Sequence, residues 1–259
     1  MRVGLSCLYM TDSPFEWAYS LEGMGFSGWE IVCEGAQRLT KDVAERIQEV
    51  LISTSLDFTA HLPFSDLNLA SVNQPIWDES VKQMGNTIHL LGDITDLVVV
   101  HPGHLSPLGA ELADKAWEQN ILGIQRLCDI AREYGIIVAV ENMPNIYHLL
   151  GRFPEELKGM IQNVDRVNVG MTLDVGHANL TKTLDNFLEQ DFKHMHLHDN
   201  LGERDDHISL GTGSVNWNKV FKRLKSYEDR LVIEARTVQE GEESLNWLRK
   251  FWTGAHSDK

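Results

Sequence analysis

Short apolar runs alternate with longer segments of helical spacing along the whole chain, and most runs break off at a polar residue. The runs read as β-strands over Val3 to Leu8, Trp29 to Cys33, Asp57 to Leu62, Leu97 to Val100, Ile136 to Val140, Val167 to Leu173, Phe192 to His196 and Leu231 to Ile233. Helical spacing fills the gaps: Pro14 to Met24, Thr40 as a cap through Leu51, the residues after Pro75 to Leu91, and Ala110 to Tyr134. It returns over Pro154 to Gln162, around Phe187, and over Trp217 to Leu224 and Ser244 to Phe251. Strands apolar on both faces that alternate with amphipathic helices predict a parallel sheet covered by helices. Eight such units in 259 residues predict closure of an α/β chain into a single (β/α)8 TIM barrel with eight parallel strands. No Ser/Gly/Pro-rich linker or composition shift divides it, so one domain over residues 1–259 is expected.

Charge narrows the partners. The net charge of -15 and a pI near 5.1 argue against a broad basic face for a nucleic-acid backbone. No apolar stretch reaches the roughly 18 residues of a membrane helix, and Met1 to Thr11 lacks the signal-peptide pattern. Cys7, Cys33 and Cys128 form no Cys-x-x-Cys pair and read as packed thiols. A cytoplasmic protein without a membrane partner is the expectation.

The polar residues that end the strands carry the chemistry. In such a barrel the βα loops converge at the carboxyl ends of the strands, so a donor directly after an apolar run points into one mouth. His61, His101, Glu141, Asp174, His196 and Glu234 hold that position on strands three to eight, and His177, Asp205 and His207 follow in loops on the same face. A lone His or Asp in such a place usually packs or caps. Six strands in succession ending this way are hard to explain as packing, because facing buried carboxylates repel and protonate unless cations hold them. A divalent cation (zinc, manganese, magnesium or cobalt), about one to three per chain, is therefore expected on a mixed nitrogen and oxygen donor set.

The density is highest from His194 to Gly213. His194, His196 and His198 share one strand face, and His196 is expected at ligand depth, with His194 beneath it and His198 nearer solvent. Arg204 and Arg236 beside the mouth are candidates for binding a substrate anion. Gly211-Thr212-Gly213 reads either as a weak phosphate turn or as a tight lead into the next helix. His104 is assigned to a loop, and His89, His148 and His256 to surface or helix positions.

The chain resembles the xylose isomerase-like barrel superfamily, which includes sugar isomerases and epimerases and also endonuclease IV. The pieces that carry the likeness are His61-Leu62-Pro63-Phe64, Val100-His101-Pro102-Gly103, Glu141-Asn142, Leu173-Asp174-Val175-Gly176-His177, Met195-His196-Leu197-His198-Asp199, Asp205-Asp206-His207 through Gly213, and Glu234. Likeness to the sugar enzymes implies a cation on Glu141, Asp174, His196 and Glu234, with His177 near the substrate. Glu141 and Glu234 would then be the catalytic acid/base pair that moves a proton through a metal-stabilised enediolate. Likeness to endonuclease IV implies a zinc cluster that adds His61, His101, His177, Asp205 and His207. That likeness stops at the ligands. Ser6-Cys7-Leu8-Tyr9, Cys33-Glu34-Gly35-Ala36-Gln37 and Met143-Pro144-Asn145 stand where the nuclease carries its DNA-reading loops. A metal-dependent isomerase or epimerase of a small sugar or sugar phosphate is the first reading, and a zinc-cluster phosphodiesterase the second. A metal- or sugar-binding barrel without activity is the third. DNA is the less favoured partner, and a homo-oligomer stays open.

Overall fold

A computed structural model describes residues 2–254. Its eight strands, β1 (Arg2–Cys7), β2 (Gly28–Val32), β3 (Asp57–His61), β4 (Leu97–Val100), β5 (Ile137–Glu141), β6 (Val169–Asp174), β7 (His194–Leu197) and β8 (Arg230–Ala235), close into a parallel barrel in sequence order. β1 seals it by pairing with β8 from Arg2↔Arg230 to Cys7↔Ala235. The single eight-stranded α/β barrel that the alternation predicts is the fold. His256, expected at the surface, lies outside the described residues. Among the described residues no helix is long and apolar enough to cross a membrane.

One expectation about the strands fails, and its failure explains the site. The outward residues are apolar: Leu5, Ile31, Phe58, Val98, Val138, Leu173, Leu197 and Ile233 join one large core between strands and helices. Inside the barrel the apolar part shrinks to Leu97, Val99 and Ala139, with Ile137 against them. Apart from Val32 and Val232, most other inward side chains are buried polar or ionisable groups, among them Ser6, Glu30, Thr59, Glu141, Thr172, Asp174, His194 and His196. Only β4 is apolar on both faces along its whole length. Period two puts grease on the helix side and chemistry on the axis side.

The helical segments differ from expectation at points with local causes. Residues 14–24 form separate 3-10 turns at Pro14–Glu16 and Ala18–Ser20 before a short helix, Leu21–Met24, ended by Gly25 at φ 97. The long pattern over Ala110 to Tyr134 divides at Leu112 into helices Pro107–Glu111 and Ala113–Arg132, the first capped by Ser106. The region of Phe187 carries helices Val175–Leu180 and Leu184–Leu188. The last helix, Val238–Gly254, begins six residues before Ser244, the expected start. A reciprocal cap, Glu240 N–H to Thr237 Oγ1 and Thr237 N–H to Glu240 Oε2, starts it.

Candidate metal centre

Four adjacent strand ends, β5 to β8, bring Glu141, Asp174, His196 and Glu234 together, each offering an atom within 4.8 Å of the others. His196 Nδ1 lies 3.1 Å from Glu141 Oε1, 3.4 Å from Glu234 Oε1 and 4.0 Å from Asp174 Oδ2. All four residues are buried. Asn142 pins two of these ends: it donates to the Asp174 carbonyl and accepts from the Asp174 N–H, at 3.0 and 2.7 Å. Asp174 Oδ1 also accepts the His177 N–H and so caps the helix that carries His177. Asp174 Oδ2 has no hydrogen-bond partner among the described residues.

Glu141 faces two ways. Its Oε1 belongs to the group above, and its Oε2 lies 3.3 Å from His61 Nε2 and 3.1 Å from His101 Nε2. His61 gives its Nδ1 proton to the Leu62 carbonyl at 2.9 Å, and its Nε2 lies 3.1 Å from His101 Nε2. A third group joins His177, His198, Asp205 and His207. His177 donates from Nδ1 to the Asn142 carbonyl at 2.8 Å and turns Nε2 to Asp205 Oδ2 at 3.1 Å. His207 Nε2 reaches the same oxygen at 3.2 Å from a backbone in the left-handed region, φ 46, and its ring stacks on His198 at 3.8 Å.

The loop carrying Asp205 and His207 is tied down by one carboxylate. Buried Asp199 accepts from the N–H groups of Asn200, Gly211 and Val215 and from the Trp217 indole, at 2.8 to 3.1 Å. Gly211-Thr212-Gly213 is thus the tight lead into helix Trp217–Leu224, with the Gly211 N–H spent on Asp199.

The charges are strongly biased. Burial works to raise Glu141, but His196, His101 and His61 outweigh it and hold the carboxyl well below its usual range. Burial pushes Glu234 up to about 8, helped by the Glu141 and Asp174 carboxylates and opposed by His196. Burial would lower His198, yet Asp174 and Asp205 carry it up to about 9. Asp205, opposed by burial, is held well below the carboxylate range by His177 and His207.

The centre forms the floor of a cavity of about 170 Å³ walled by Leu8, Met10, Val32 and Phe64 opposite His61, His101, Glu141, His177, Asp205, His207 and Glu234. Asp174 and His196 lie beneath these and do not line it. Arg204 and Arg236 are exposed and stand outside the lining. His198, expected nearer solvent, is fully buried, because the Asp199-anchored loop closes over the end of β7. Glu30, inside β2, escaped sequence reasoning altogether: its carboxylate lies 2.8 Å from His194 Nε2 and 2.9 Å from His196 Nε2. A charged residue in the middle of an apolar strand was the available signal.

These donors fit a divalent cation. Around His196 Nδ1 stand three carboxylate oxygens, and around Glu141 Oε2 stand two imidazole nitrogens. Carboxylates and imidazoles crowded in this way are held together either by protons or by a cation that replaces them, and carbonyls that fix the ring tautomer behind a ligand are usual at metal sites.

A family model described as xylose isomerase-like TIM barrel matches residues 19–251. The uncharacterized protein MJ1311 of Methanocaldococcus jannaschii is 31% identical over 261 residues, covering 97% of this chain and 89% of that protein. The crystal structure of a D-tagatose 3-epimerase-like protein superposes with a TM-score of 0.91 at 31% identity, covering 97% of each chain. The TTHB071 protein of Thermus thermophilus, whose crystal was soaked with zinc chloride, shares the fold with a TM-score of 0.75 at 24% identity, covering 98% of this chain and 99% of its own.

Proposed function

We propose that this chain, which belongs to the xylose isomerase-like TIM barrel family, is a divalent-metal-dependent epimerase or isomerase of a small sugar or sugar phosphate. The observation that carries the reading is the pair Glu141 and Glu234, brought together around Asp174 and His196 at the floor of the cavity. Likeness to a D-tagatose 3-epimerase-like protein supports it. Among the described residues the cavity lining includes neither Lys nor Arg, which favours an uncharged sugar over a phosphorylated one.

Glu141, Asp174, His196 and Glu234 would hold the cation, which when bound polarises a carbonyl oxygen. Glu141, kept ionised, takes the proton from the carbon beside that carbonyl. Glu234 would return a proton to the opposite face from the carboxyl oxygen left free of the cation, so the carbon inverts and the carboxyl groups exchange roles. Leu8, Met10, Val32 and Phe64 exclude water from the reacting face. Incubation of the manganese- or cobalt-loaded protein with a panel of ketoses in D2O tests this: deuterium should enter at the carbon beside the carbonyl. Absence of exchange with every ketose rejects it.

The two-sided placement of Glu141 favours one second reading, a phosphodiesterase with several zinc ions, since His61, His101, Asp205 and His207 have no task in a mononuclear sugar site. Elemental analysis separates the two. One ion per chain supports the sugar enzyme, whereas two or three zinc ions together with nicking of DNA at an abasic site support the phosphodiesterase.

A further inference from the structure

The interior of the barrel below the cavity holds a second buried carboxylate that the proposed chemistry does not use. Glu30 projects from the middle of β2, and its partners come from across the barrel: His194 and His196 on β7, with Thr59 from neighbouring β3. All four side chains are buried, Glu30, His194 and His196 with no exposed surface at all. Thr59 Oγ1 donates to Glu30 Oε2 at 2.9 Å, and His194 Nε2 lies 2.8 Å from the same oxygen. The other oxygen, Oε1, lies 2.9 Å from His196 Nε2, although off the ideal line of the N–H bond.

Among the described residues Glu30 Oε1 and His196 Nε2 have no other partner, and they sit 2.9 Å apart in a dry interior, where a proton on Nε2 relieves the repulsion of two acceptors. A proton on His194 Nε2 does the same beside Glu30 Oε2. On His196, Nδ1 makes the other contact, a hydrogen bond to Glu141 Oε1 at 3.1 Å, and is turned also to Glu234 and Asp174, so a cation at that point would take the place of the Nδ1 proton while Nε2 keeps its own. His194 stands edge-on beneath the His196 ring, centroids 5.0 Å apart, and blocks its rotation from below.

We infer that Glu30 is a positioning residue: it fixes His196 in the form that carries its proton on Nε2 and aims Nδ1 at the cation site, with Thr59 and His194 holding the carboxylate in place. The inference rests on the metal site proposed above, and it assigns the base of the barrel a task in that site's affinity. Glu30 touches neither substrate nor cation. Its effect reaches the cation through one imidazole, as carboxylates behind metal-bound histidines do elsewhere.

The test has two independent readouts. Long-range proton–nitrogen NMR spectra of the zinc-free wild-type protein should show Nε2 of both His194 and His196 carrying a proton. Zinc affinity, read by competition with a chromophoric chelator, should fall about 10- to 100-fold in Glu30→Gln and recover in part in Glu30→Asp. A bare His196 Nε2 overturns the inference, and so does unchanged zinc affinity in a folded Glu30→Gln protein. Zinc bound directly at Glu30 and His194, seen as loss of one equivalent of zinc in both Glu30→Gln and His194→Phe with the remaining affinity unaltered, also overturns it. A wild-type protein that binds no zinc, manganese or cobalt rejects the metal site itself. The NMR spectrum still decides whether Glu30 orients His196.

Discussion

The backbone of Gly176 passes so close to the His198 imidazole that a β-carbon at position 176 would stand 2.0 Å from the ring. The residue is glycine because helix Val175–Leu180 packs directly against a buried side chain just past the end of β7. Gly176→Ala should displace His198 from Asp174 and destabilise the fold by about 1 to 3 kcal/mol. A urea melt checks the stability, and the His198 ring signals check the displacement.

Replacing Glu234 by Gln removes the carboxyl group assigned to return the proton. Deuterium incorporation into the substrate should fall by roughly 10²- to 10⁴-fold while the far-ultraviolet circular dichroism stays unchanged. Undiminished exchange would take Glu234 out of the mechanism.

Removal of the cation should cost stability, because the ion binds the folded centre and not the unfolded chain. At a free metal concentration about 1,000 times Kd the difference is about 4 kcal/mol. Thermal melts with saturating zinc or manganese and with excess chelator measure it, and coincident melts would mean that nothing binds.

The metal-free protein should lose stability as pH rises. Glu234 has its folded value raised from 4.5 to about 8, so between these values the unfolded chain releases a proton that the folded one keeps, and folding weakens. His198, raised from 6.5 to about 9, contributes stability that is present below 6.5 and lost as pH climbs through 9. Both act in one direction: the apo melting temperature should fall from pH 6.5 to 9. Metal affinity should rise over the same window, since the cation competes with these protons. An apo melting temperature that climbs across this range contradicts the assignment.

Asp199→Asn keeps the shape of the side chain but removes the charge shared by four donors, and the amide turns a donor toward one of them. A loss of about 2 to 4 kcal/mol is expected. Hydrogen exchange should quicken across residues 200–215, the loop that presents Asp205 and His207. Protection as strong as in the wild type would show that Asp199 does not anchor the loop.

The barrel was readable because each strand is a compact apolar run, and most of the strand-end donors because each directly follows such a run. His61, His101 and Glu141 announce themselves in this way. Glu30 does not: its partner His194 is 164 positions away, and only closure of the barrel sets β2 facing β7. The depth of His198 was misjudged for a related reason, since a loop anchored by Asp199 seals a strand end that looks open in sequence. The early start of the last helix was legible in Thr237 and Glu240, whose spacing marks a reciprocal cap, although the charged residues after it mask the apolar period.

The two oxygens of Glu141 look toward different partners, His196 on one side and the His61–His101 couple on the other. One side chain is thereby shared property of two neighbourhoods. A lineage drifting between chemistries within this scaffold can trade away either neighbourhood and keep the remaining one whole, but a change at position 141 injures both at once.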